Sequence, residues 1–119
     1  MYEGQLEAWI LTLVSEGIVA ALLARSFGMT PWKAAAAAVF GSLLSHPIVW
    51  WSYHELFIGK LGYWPTFAIV EAFAVSVEAP FYRALGAPRW STAFAISFVV
   101  NAASVLAGFA MYAIQGALG

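Results

Sequence analysis

The sequence predicts an all-α integral membrane protein: a single transmembrane domain over residues 1–119, built as a four-transmembrane-helix bundle of two helical hairpins with both termini outside. Three observations carry that expectation. The chain is 63% hydrophobic and only 9% charged, whereas soluble domains are about one quarter charged. Apolar stretches of about 20 residues, enough to cross the hydrocarbon layer, recur four times, at about 6–27, 31–53, 65–85 and 90–118. Four of the five basic residues flank just two of the three connections.

Each span has its own punctuation. Gly28 closes the first, and Thr30 with Pro31 opens the second as N-cap and first-turn proline. The run "KAAAAAVFG" that follows is a helix start whose small residues permit close approach of a neighbour. The third span enters at Pro65 and carries Glu71 and Glu78; Gly86 and Pro88 separate it from the fourth, which starts at Trp90. In span 4, Ser97, Asn101, Ser104 and Gly108 form a small, polar stripe spaced to face another helix.

Orientation follows from the cations, because short loops rich in Lys and Arg stay cytoplasmic. Arg25, Lys33, Arg83 and Arg89 mark the loops between spans 1 and 2 and between spans 3 and 4, which leaves Lys60 and "YHELFIGKLGYWP" outside. Trp9, Trp50, Trp51, Tyr53, Tyr63, Trp64 and Tyr112 then read as an outer interfacial belt, and Trp32, Tyr82 and Trp90 as inner-face markers. The stretches "RSFGMTPWKAA" and "RALGAPRWSTA" align at an offset of 58, pairing Arg25 with Arg83, Gly28 with Gly86 and Trp32 with Trp90. Two similar hairpins would produce this match, as would any pair of tight, positive, aromatic-flanked turns. "MYEGQLEAW" lacks the basic start of a cleaved signal, so the first span is expected to be retained. The expected setting is multi-pass, in a prokaryotic inner or plasma membrane.

Several functions are excluded or unsupported. A net charge of -1 and five basic residues leave no patch for nucleic acid. With no cysteine and no aspartate there is no thiol chemistry, no disulfide and no Ser-His-Asp triad. A Gly-rich phosphate loop and the paired Glu-x-x-His of di-iron bundles are also missing.

What remains is a set of polar groups inside the spans. Glu16, His46, Glu71, Glu78 and Asn101 are the candidate cation- or proton-binding residues, since ionisable groups within a bilayer face the bundle interior or water. On insertion scales each charge costs about 3 kcal/mol at mid-bilayer, while a strong apolar residue returns about 0.5. Two ionised glutamates would therefore cancel the hydrophobic gain of span 3. A proton, a partner or a cation must neutralise them.

Counted at about 1.5 Å per residue from the outer ends, the candidates form an outer tier of Glu16, His46 and Glu71 and an inner tier of Glu78 with Asn101. Glu71 and Glu78, nearly two turns apart, share a face. The outer tier suits a divalent metal cation held by Glu16, His46 and Glu71, or the set serves as a proton relay. Thr12, Ser42, Ser45, Ser97 and Ser104 read as packing contacts and back-bonds to the preceding turn.

"VEAFAVSVEAPFYR" resembles the glutamate-bearing helix of the small prokaryotic diacylglycerol kinases, a family of membrane enzymes with two glutamates at this spacing and an asparagine between them. The resemblance covers little more than ten residues. Ala74 stands at the asparagine position, the family's cytoplasmic Lys-Asp pair is missing, and four spans replace three. No residue roles carry over.

Three functions fit these residues. The first is a small transporter or channel-like protein for a proton, a metal cation or a cation-coupled solute. The second is a structural or accessory subunit whose glutamates pair with other membrane subunits, and the third a membrane enzyme acting on a lipid or isoprenoid. Four helices make thin walls for a path, so a homo-oligomer is expected alongside the lipid bilayer as partner.

Overall fold

A computed structural model describes residues 4–57 and 59–118, and among them every long element is an α-helix. Helix α1 spans Gln5–Leu23, α2 Pro31–Ser52, α3 Tyr63–Ala84 and α4 Trp90–Leu118. A 3₁₀ turn, Ala24–Phe27, extends α1, and a π turn, Tyr53–Phe57, extends α2. These bounds follow the four apolar stretches closely.

The helices meet pairwise around a ring, α1 with α2, α2 with α3, α3 with α4 and α4 with α1, while the diagonal pairs barely touch. The α1–α2 and α3–α4 hairpins thus close into one ring. Its centre is left to side chains.

Local chemistry explains the ends. Pro31 occupies the first turn of α2 after an extended Thr30, whose side chain makes no capping bond. Gly28 and Gly86 have φ of 73° and 125°, where a β-carbon would be strained. The two glycine turns pack against each other: a β-carbon on Gly28 would meet Pro88, and one on Gly86 would meet the Lys33 stem. The repeat thus marks two turns of like backbone that face one another at one end.

Gln5–Phe27, Pro31–Glu55 and Trp90–Ala117 are long and apolar enough to cross a membrane. Helix α3 is long enough, but Glu71 and Glu78 lower its mean hydropathy, so by this measure the expectation of four spans reduces to three. Large apolar side chains cover the outside of the ring, among them Leu22 at 77% exposure and Leu106 at 67%. A surface so apolar is that of a protein surrounded by lipid or by other subunits rather than by water.

The core is divided along its length. At the basic end, Ala20, Ala24, Ala34, Ala37, Ala38, Ala79, Ala87 and Ala93 pack with Tyr82, Ile96 and Val100 in one dry cluster. Small side chains draw the four backbones together there. Tyr82 is fully buried in this cluster, which corrects its reading as an interfacial marker. Trp32 and Trp90, both more than half exposed, keep that reading. At the other end the centre is polar.

Candidate functional site

A cavity of about 570 Å³ occupies the half of the ring that carries the start of α1, the end of α4 and the α2–α3 connection. All five candidate residues, Glu16, His46, Glu71, Glu78 and Asn101, line it. It begins near Ala8, Trp50, Tyr63 and Tyr112 and ends at Glu16, Ser42 and Glu78, beyond which the alanine cluster fills the centre. The volume is that of a small-molecule site. It is a vestibule with a floor.

The floor is made by three helices. Ser42 of α2 stands between two carboxylates, donating a hydrogen bond to Glu16 of α1 and lying 3.5 Å from Oε1 of Glu78 of α3. Ser45, one turn further along the same face, donates to Oε2 of Glu78 at 3.1 Å. Asn101 of α4 lies in polar contact with Glu78 and bonds back to the Ser97 carbonyl at 2.8 Å. Glu16 and Glu78 are almost completely buried, at 2% and 1% exposure.

A hydroxyl has one proton to donate. Ser42 therefore serves one carboxylate as donor, and a hydrogen bond with the other requires the proton to come from that carboxyl. The five basic residues all lie elsewhere in the chain, four at the opposite end and Lys60 in the α2–α3 connection.

Gly41 makes this geometry possible. A β-carbon there would lie 2.7 Å from Cγ, 3.0 Å from Cβ and 3.3 Å from Cα of Glu78, so α2 and α3 touch at this point through the absence of a side chain. Further ties brace the frame: Ser97 of α4 donates to the Val75 carbonyl of α3 at 2.9 Å, and the Ser15 and Ser104 hydroxyls meet between α1 and α4 at 3.3 Å.

The tiers expected from depth are rearranged. Glu16 joins Glu78 at the floor instead of His46 and Glu71 above it. Side chains lean toward the N-terminus of their own helix, so the carboxyls of Glu16 and Glu78 on the parallel α1 and α3 both lean outward and the Ser42 hydroxyl of the antiparallel α2 leans inward to join them. Glu71 remains partly buried in the cavity wall nearer the mouth.

His46 is held differently again. Its ring is sandwiched between Trp9, 5.9 Å away and nearly parallel, and Trp50 at 5.8 Å, while its buried Nε2 has no hydrogen-bond partner among the described residues. Trp9 and Trp50 thereby become part of the wall as well as of the belt. Among the described residues no three His or Glu side chains converge closely enough to hold a metal ion, so Glu16, His46 and Glu71 are not brought together as a metal site.

Sequence reading passed over Ser42 and Ser45 as packing residues and gave Gly41 no part in the site. The signal was present in the segment "GSLLSHP", where Ser42, Ser45 and His46 fall at i, i+3 and i+4 on one helix face. Ser42→Ala is expected to destabilise the protein by about 1.5–3 kcal/mol, the range for a hydrogen bond to a charged group, in reversible unfolding from mixed micelles. Ser76→Ala, which removes only an exposed back-bond to Ala72, should leave the transition unchanged.

No known protein family, characterised protein or solved structure matches the chain.

Proposed function

We propose that this protein is a small membrane transporter, inserted through all four helices with both termini outside, that takes a proton or a cation from the outer side at the Glu16–Ser42–Glu78 floor. The observation that carries the reading is the vestibule with buried carboxylates at its closed end. A continuous pore would need no floor; a carrier that exposes its site to one side at a time does. Helix α3, too polar to be secure as a span by itself, is supported in this arrangement by neighbours on both sides that neutralise or cover its glutamates. Ring walls one helix thick favour a homodimer as the working unit.

The experiment is flux in proteoliposomes. Wild-type protein is expected to move protons or a cation down an imposed gradient, and Glu78→Gln to abolish the movement, because the amide keeps the shape but cannot gain or lose charge. Glu55→Gln, outside the cavity, is the control. Unchanged flux in both Glu78→Gln and Glu16→Gln would sink the proposal.

A further inference from the structure

A second hollow of about 680 Å³ lies along the seam between α3 and α4, lined by Ala68, Ala72, Val75, Phe98, Ala102 and Leu106. Phe67, Glu71, Asn101 and Val105 border both this groove and the central vestibule. Glu71 therefore stands in the wall between the two hollows: one flank faces the polar interior and the other a channel of apolar side chains on the outside of the ring. Nothing in the proton or metal readings calls for the second hollow.

We infer, resting on the proposed transport function, that the substrate is an amphiphilic organic cation, a single ammonium head carrying an alkyl or aryl tail. The head sits in the vestibule against Glu71 and the tail lies in the α3–α4 groove. Three observations converge on that class. The carboxylate at the junction calls for a positive group. The vestibule wall is rich in aromatic rings, with Phe67 stacked on Tyr63 at 6.1 Å and on Phe109 at 6.4 Å; Trp50 and Tyr112 complete it. Aromatic faces favour large, weakly hydrated ammonium ions. A hard divalent ion takes a shell of six or more oxygen ligands, and among the described residues no three acidic or imidazole side chains come together to supply one.

Charge also separates this substrate from a choline phospholipid of the bilayer. Such a lipid would bring its phosphate anion in beside its ammonium, close to three glutamates. A free monocation brings no anion, so it is the better complement.

The test is a homologous series of alkyltrimethylammonium ions, from methyl to decyl, bound to purified protein in phosphatidylglycerol nanodiscs, with empty discs subtracted. Affinity is expected to rise with chain length by up to about fourfold per methylene, the value for full burial of each CH₂. Glu71→Gln should weaken every member at least tenfold. Ala102→Phe, which fills the groove, should flatten the dependence on length while leaving tetramethylammonium bound as before.

A length dependence untouched by Ala102→Phe would overturn the inference, as would equal competition by uncharged alcohols of the same chain length. Loss of binding in phosphatidylcholine discs would show a lipid headgroup as the true occupant and overturn it too. If these arms fail while Glu78-dependent flux of protons or inorganic cations persists, the transport reading survives alone. If no cation of either kind binds or moves, both fall.

Discussion

Gly41→Val is expected to cost about 3 kcal/mol or more and to abolish flux together with stability. At most helix positions a glycine is a liability of about 1 kcal/mol relative to alanine, so adding a side chain should help. Here the sign reverses. The first added carbon falls 2.7 Å from Cγ of Glu78, a flexible atom, but also 3.0 Å from its Cβ and 3.3 Å from its Cα, which do not rotate away. Either α2 and α3 separate or both bend, and overpacking of this kind costs about 1–3 kcal/mol before the second and third carbons of valine are counted.

Separation also pulls Ser45 away from the Glu78 carboxylate it donates to and takes Ser42 out of its contact with that carboxylate, leaving Glu78 buried without these partners. Gly41→Ala should show a smaller net loss, about 1–2 kcal/mol, since helix propensity offsets part of the clash. Gly108→Ala meets nothing within 4 Å and should be neutral or stabilising. A double-mutant cycle between Gly41→Ala and Glu78→Ala, read by unfolding in mixed micelles, should return a coupling of about 1 kcal/mol or more. Additive effects there would dismiss the close contact as the cause.

How far the sequence announced this structure depends on which physical signal each residue carried. Helix boundaries were legible because bilayer-length apolar runs and glycine or proline punctuation are local properties; Gly28, Pro31 and Gly86 act where they stand. The five candidate residues were legible as a set, since charge and amide groups in an apolar span have few places to go, and one cavity collects them all. Their pairing was not. Depth counted along the helix axes sets Glu16 apart from Glu78 and takes no account of a side chain on a third helix that bridges them, as Ser42 does. The serines were undervalued because a hydroxyl in a helix can always bond its own preceding turn, as Ser76 does; only the fold shows that Ser42 and Ser45 face carboxylates instead. Tyr82 misled for the converse reason. Near a basic loop a tyrosine looks interfacial, but the alanines of its cluster let the helices close over it.

Tyr82 also carries the last large effect. It lies one turn past Glu78 on α3, on the side away from the mouth, and is the largest fully buried side chain among the described residues. Among those residues its hydroxyl has no hydrogen-bond partner, in a cluster otherwise made of alanine, methionine, isoleucine and valine. Such an orphan costs about 1–3 kcal/mol. Tyr82→Phe is therefore expected to raise stability by an amount in that range, whereas Tyr82→Ala should lower it by about 3–5 kcal/mol through loss of the ring.

The two substitutions separate packing from polarity, and transport should respond to each differently. The ring blocks the line from the carboxylate floor to the basic face; removing it should let ions leak through any protein that still folds. The hydroxyl is a polar group within that plug, so in a conformation open to the basic side it is a group that water or the departing ion would meet. Tyr82→Phe should then keep substrate binding at the vestibule unchanged while slowing turnover in proteoliposomes. A Phe variant that is no more stable and transports at the wild-type rate would reduce Tyr82 to a core residue and leave the exit from the floor to be sought elsewhere in the ring.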